Sequence, residues 1–171
     1  MSDSPKRCGW VSDDSLYIDY HDQEWGVPVY EDTQLFEFLI LEGMQAGLSW
    51  LTILKKREAF RQAFNQFDPE KIARFNDKKI SKLLHNAGII RNQLKINASV
   101  DNAKACLKIQ EQHGSLSDYL WQFVDGEPIQ NRWKSDKDVP ASTELSDVMS
   151  KELKRQGFRF VGSTICYAFM Q

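Results

Sequence analysis

Leu35, Phe36, Phe38, Leu39, Ile40 and Leu41 leave almost no polar side to the helix they would form. A helix apolar around nearly its whole circumference must be surrounded by other elements, so residues 35–41 mark the centre of the molecule. Asp32 or Thr33 can cap its start. The run ends on Glu42, followed by Gly43-Met44-Gln45-Ala46-Gly47-Leu48-Ser49-Trp50. A buried, unpartnered carboxylate raises its own pKa and weakens the fold, so a chain that keeps one there has a use for it. A glutamate at the exposed end of a core helix is the plainer reading. Trp10, Tyr17, Tyr20, Trp25 and Trp50 supply aromatic faces, and an acid inside such a box suits a flat, cationic ring with donors on one edge.

Helical periodicity continues through the chain, and alternating strand patterns are scarce. Ser49 can cap a helix with Leu51, Ile53, Leu54, Phe60 and Phe64 on its apolar side. Asp68-Pro69 is a start signal, a cap followed by proline at the first turn. Asn76 or Asp77 opens a helix through Ile80, Leu83 and Leu84 that Gly88 stops. A long helix follows to Gly114, and Ser115 or Ser117 begins a short one through Tyr119, Leu120, Trp121 and Phe123. Residues 125–142, with Pro128 and Pro140, read as a loop with a short extended piece. Thr143 caps a helix closed by Gly157, and Ser163 begins the last. The fold class is all-α.

At 171 residues and 42% hydrophobic content the chain suits one domain, residues 1–171. The N-terminus Met1–Arg7 lacks the apolar stretch of a secretory signal, and no window approaches the roughly 20 apolar residues of a membrane span. Cys8, Cys106 and Cys166 are odd in number and far apart, which suits reduced thiols in the cytoplasm. The formal net charge of −2 hides segregation. Residues 1–54 carry ten acids against Lys6 and Arg7, a net of −8, whereas residues 71–109 carry nine bases against Asp77 and Asp101, a net of +7. A local basic patch fits either a nucleic-acid backbone or an ordinary solvated helical face.

Residues 77–96 form a helix, a tight Ala87-Gly88-Ile89-Ile90-Arg91 turn and a second helix containing Lys95. Free amides at the second helix's start, with the helix dipole, suit a phosphate. The isoleucines would plug the core between the helices. Gly88, Ile89, Ile90, Arg91 and Lys95 are therefore candidate DNA-binding residues, although Gly-Ile-Ile is also an ordinary helix end. Leu48, in the small-residue turn Ala46-Gly47-Leu48-Ser49, is either plain core or a wedge that fills the hole left by a rotated-out nucleotide. Cys8 and His21 are zinc ligands by type, but a structural site wants four, and no second pair stands out. No Cys-x-x-Cys or Cys–His nucleophile spacing supports a thiol enzyme.

Five motifs occur in order: Arg7-Cys8-Gly9-Trp10; Tyr17-x-x-Tyr20-His21-Asp22-x-Glu24-Trp25-Gly26-Val27-Pro28; Leu41-Glu42-Gly43-x-Gln45-Ala46-Gly47-Leu48-Ser49-Trp50; Ala87-Gly88-Ile89-Ile90-Arg91; and the segment Gly157-Phe158 to Met170-Gln171. Together they closely resemble the bacterial type I 3-methyladenine DNA glycosylases over almost the whole chain. The resemblance implies a two-lobed helix-hairpin-helix fold, with the chain ends forming one lobe and the central 50–125 helices the other. It implies hydrolysis of the N-glycosidic bond of 3-methyladenine in double-stranded DNA by a monomer, with the free base as product. Glu42 would recognise the base, Tyr20 and Trp50 enclose it, and Trp10, Tyr17 and Trp25 complete the pocket. Cys8 and His21 match two of four ligands of a structural zinc, the remaining His and Cys of the family's pattern lying past residue 171. The wider superfamily carries a catalytic aspartate after the hairpin; the type I family does without it, so Asp101 reads as a solvated helix residue. Rival readings are a lesion-sensing DNA binder without excision, and a small-ligand module using the same aromatic box.

Overall fold

A computed structural model describes residues 4–171. Residues 1–3, with which the charged N-terminal stretch begins, lie outside the described residues. Nine α-helices and three short 3-10 turns make up the regular structure of the described residues, with no strand among them. The helices are α1 (Ser15–Gln23), α2 (Asp32–Gln45), α3 (Trp50–Ala63), α4 (Pro69–Ala73), α5 (Asp77–Leu84), α6 (Gln93–His113), α7 (Leu116–Trp121), α8 (Glu144–Arg155) and α9 (Ser163–Met170). No helix among the described residues is long and apolar enough to cross a membrane.

The apolar run does lie at the centre. Helix α2 packs against α3, α6, α7 and α9, and Phe36, Leu39, Leu41 and Met44 are all but inaccessible. Burying each such side chain contributes about 1.5–3 kcal/mol. The core they enter is one connected cluster from Leu35 to Cys166. Local caps fall where short-range chemistry places them. Ser49 Oγ accepts from Thr52 N, Asp68 from Glu70 N, Asn76 from Lys79 N, and Thr143 from Ser146 N.

Asp32 departs from expectation. Glu31 is the capping residue of α2 and makes no side-chain cap bond. The Asp32 carboxylate instead accepts from Leu116 N at 3.0 Å, Ser117 N at 2.8 Å and Gln110 Nε2 at 2.9 Å. It thus caps α7, a helix far away in sequence, and pins it to the central helix. Asp32→Ala should lower the free energy of unfolding by about 2 kcal/mol, read from urea midpoints at unchanged slope. A loss below about 0.5 kcal/mol would show that the cap carries no stability.

Two further differences are local. Helix α1 has no periodic signal in the sequence because only Tyr20 of it is buried, although Asp14 caps it on Leu16 N. The loop 125–142 holds a 3-10 turn, Asp136–Asp138, closed by a Ser135/Asp138 capping box, rather than an extended piece.

Candidate active site

Glu42 sits one turn from the C-terminal end of α2 and is 6% exposed. Burial alone pushes its carboxyl up to about 8, with no compensating cation or donor among the described residues. Its neighbours are phenols. Tyr17 and Tyr20 are both raised, first by burial and then by the charge of Glu42. The next residue, Gly43, sits at a close approach: a Cβ there would stand 3.3 Å from Phe160 Cβ, tight enough that Phe160 would have to give way. Phe160 is left-handed (φ 56°), and Asn102 of α6 holds the preceding residue, donating to Arg159 O at 3.0 Å and accepting from Arg159 N at 2.7 Å.

The five aromatics come together. Trp10 lies 5.1 Å from Tyr17, 6.4 Å from Tyr20 and 5.5 Å from Trp25 between ring centroids, and Tyr20 lies 5.5 Å from Trp50. His21 joins them, stacked on Trp25 at 5.3 Å and edge-on to Trp10 at 5.3 Å. The rings alternate between α1, the chain on either side of it and the start of α3, which is why motifs far apart converge. Trp50 Nε1–H is buried without an acceptor among the described residues. A sealed acid with no partner among the described residues is an unsatisfied polar group of the kind that a bound molecule satisfies.

A charge network fixes this wall. Arg57 on α3 donates to Glu24 at 2.8 Å and to Glu37 on α2 at 2.9 Å, and Arg61 adds a bond of 2.8 Å to Glu37. Glu24 precedes Trp25, so the network holds the α1 exit against α2 and α3. At the outer rim Arg7 grips Asp22, which in turn meets His21 Nδ1 at 2.9 Å. The Arg7 and His21 hydrogen bonds hold the Asp22 carboxyl down at about 2.

Beyond Glu42 the chain makes a type II turn. Ala46 has φ −50° and ψ 118°, Gly47 has φ 80°, and Leu48 N donates to Gln45 O at 2.7 Å. Gln45 Nε2 donates back to Leu48 O at 2.8 Å, and Leu48 stands out 38% exposed. The turn presents one leucine rather than burying it in the core.

The α5–α6 hairpin follows a different geometry from a simple glycine stop. Helix α5 ends at Leu84, before Gly88. Gly88 is needed for close approach to α3, since a Cβ would meet Ala59 Cβ at 2.9 Å. Ile89 is core, Ile90 is half-buried and Arg91 is exposed. Asn92 caps α6 on Lys95 N, leaving the amides of Gln93 and Leu94 without a protein acceptor among the described residues. Lys71, Arg74, Lys78, Lys79, Lys82 and Arg91 form no ion pair among the described residues. Lys95 is the correction. It is 8% exposed, and its Nζ donates to Met44 O at 2.8 Å and Ala46 O at 2.6 Å, so its charge points inward rather than at a phosphate.

Acid, aromatic wall, presented leucine and hairpin thus lie in one fold, and its sequence has relatives. The sequence model for methyladenine glycosylase matches residues 10–171. The chain belongs to the methyladenine glycosylase family. DNA-3-methyladenine glycosylase 1 of Escherichia coli (strain K12) is 50% identical over 166 residues, 97% of this chain and 89% of the relative. DNA-3-methyladenine glycosylase of Haemophilus influenzae is 51% identical over 165 residues, 96% and 89%. A crystal structure of 3-methyladenine DNA glycosylase I superposes with a TM-score of 0.94 at 53% identity, covering 97% of this chain and 91% of that one. A structure addressing 3-methyladenine recognition by the Staphylococcus aureus enzyme gives 0.93 at 39% identity, covering 95% and 87%.

For a methyladenine glycosylase of this sequence, two further expectations turn on neighbours. Asp101 is half-exposed and paired with Arg159 at 2.9 Å, so it is solvated but not free. Cys8 and His21 are adjacent, with Cys8 N 3.5 Å from His21 Nε2. Asp22 on Nδ1 suits Nε2 to a metal. Burial and nearby Asp136 raise the thiol of free Cys8, and a bound metal ion would itself draw off that proton. Among the described residues no group of three or more His, Cys, Asp or Glu could hold an ion. Two donors do not complete a tetrahedral site. The Arg57 network joins residues 20 to 33 positions apart and leaves no local pattern in the chain. Its one signal is Glu37, an acid between Phe36 and Phe38 in the apolar run that requires a cation from elsewhere.

Proposed function

We propose that this chain excises 3-methyladenine from double-stranded DNA as a cytoplasmic monomer, hydrolysing the N-glycosidic bond and leaving an abasic site. The observation that carries the reading is Glu42, a sealed carboxyl raised to about 8 beside Tyr17 and Tyr20, whose rings lead on to Trp10 and Trp50. Methylation at N3 makes adenine a cation and hence a good leaving group. The glycosidic bond can break with its electron pair passing to the base, which departs neutral, while water adds to the sugar carbon and loses a proton. No side chain has to protonate the base. The protein has to hold it.

The cationic ring gains on the order of 1–2 kcal/mol or more on dry aromatic faces. It also supplies the positive charge that Glu42 lacks, favouring ionisation. The carboxylate then accepts from the exocyclic amine, worth roughly 1.5–3 kcal/mol. Unmodified adenine is neutral and forfeits the first gain. Leu48 fills the space of the extruded nucleotide, while the free amides at the start of α6 and Arg91 grip the backbone.

Incubating the protein with methylated duplex and separating the released bases tests this. 3-Methyladenine should appear and unmodified adenine should not; no base above the enzyme-free control would refute the reading. Arg91→Gln should weaken binding to lesion and plain duplexes alike. The slope of log affinity against log salt should shrink by about 0.9, the share of one phosphate contact. An unchanged slope would remove Arg91 from the interface.

A further inference from the structure

A buried lysine without a carboxylate is costly, and Lys95 is one. A methionine would fill the same space without desolvating a charge. Burial lowers its pKa, and no acid pairs with it among the described residues. What it has instead is a complete set of backbone contacts. Its amide is held by Asn92 Oδ1 at 3.1 Å and its carbonyl accepts from Ser99 Oγ at 2.9 Å. Its ammonium bridges Met44 O and Ala46 O. Those carbonyls belong to the end of α2, where no basic residue of the helix itself lies and the dipole is negative. The Ala46 carbonyl is part of the central peptide of the type II turn that presents Leu48, and Met44 is two residues from Glu42. At its other end Lys95 lies in the first turn of α6, four residues from Arg91. One side chain therefore ties the hairpin helix to the backbone between the acid and the leucine.

We propose that Lys95 is a positioning residue that sets the Glu42–Leu48 segment in register with the hairpin. The proposal rests on the glycosylase reading for its activity readout. DNA gripped by the hairpin is thereby presented to the leucine and the aromatic wall at a fixed offset. Lys95 touches neither the base nor a phosphate.

The test is a double-mutant cycle in the full chain, Lys95→Met with Leu48→Ala, on single-turnover excision at saturating enzyme. Each single change should slow excision by about 10- to 100-fold, the scale of an ångström of misplacement. The double variant should fall within about threefold of the slower single one, because both act through one element. Multiplying effects would overturn the proposal, since a general loss of stability is independent of the leucine. Duplex binding by Lys95→Met should keep the wild-type salt slope; a loss near 0.9 would put the ammonium on a phosphate instead.

A second readout does not need excision. On a duplex with 2-aminopurine opposite a stable abasic analogue, the wild type should enhance fluorescence as Leu48 unstacks the site, and Lys95→Met at equal occupancy should not. Equal enhancement, or none in the wild type, would overturn the proposal. Failure of the wild type to release base sinks the glycosylase reading alone. Should Lys95→Met fail to fold by circular dichroism, Lys95→Gln, which keeps a donor for one carbonyl, carries the same comparisons.

Discussion

Glu42→Gln is expected to slow single-turnover excision of 3-methyladenine by about 10- to 100-fold while making the free protein more stable at pH 8. The first effect follows from exchanging a carboxylate for an amide opposite a cationic base, a loss of about 1.5–3 kcal/mol. The second follows from linkage. The folded-state pKa of Glu42 is about 8 against an ordinary 4.5, so its stability contribution is fully present below 4.5 and is lost as pH rises through 8. The gap corresponds to at most about 5 kcal/mol. An amide does not ionise and carries no such penalty. The melting-temperature gain of Glu42→Gln should therefore be small at pH 5 and reach several degrees at pH 8, at about 2–4 °C per kcal/mol for a chain of this size. A variant equally active, or one whose stability gain does not grow with pH, would remove Glu42 from its role. Asp101→Asn is the control. Its partner Arg159 is half-exposed, so the pair contributes under about 1 kcal/mol and excision should stay within about threefold of wild type.

Trp50→Ala is expected to cost activity and stability together. Trp50 is the ring beside Tyr20 at 5.5 Å, packed against the core, with its Nε1 sealed. Removing one stacking face weakens base capture by about 1–3 kcal/mol, and the void left in a partly buried site costs about 2–3 kcal/mol of folding energy. Excision should fall by about 100-fold, with a lower melting temperature. Trp50→Phe separates the two functions of the indole. It keeps a π-face and deletes a donor that has no acceptor in the free protein, so excision should stay within about fivefold of wild type. Single-turnover rates decide. If Trp50→Phe loses as much activity as Trp50→Ala, the N–H rather than the ring face is what the base requires.

Glu42 is legible in the chain because a charge in an apolar run is a local anomaly with a physical cost. The aromatic wall is legible by composition but not by arrangement, since which rings face the acid depends on α1, a helix with one buried residue and hence almost no periodic signal. Caps such as Ser49, Asp68, Asn76 and Thr143 act within three residues, so short-range rules find them. Asp32 escapes those rules because its partners lie about eighty residues away. Lys95 escapes them for a related reason. A positive charge in a basic stretch gives no indication of burial, and only the packing of α6 beneath the end of α2 turns its ammonium inward. The Arg57–Glu24–Glu37 network likewise closes across three elements.

Base capture here depends on a sealed acid that ionises when the base arrives, and a 13C NMR titration of the Glu42 carboxyl carbon observes that directly. In the free protein the resonance should titrate near pH 8, and saturating 3-methyladenine should move the midpoint down, because the amine's hydrogen bond favours the carboxylate. A midpoint near 4.5 in the free protein, unmoved by the base, would mean a solvated side chain and would contradict the account.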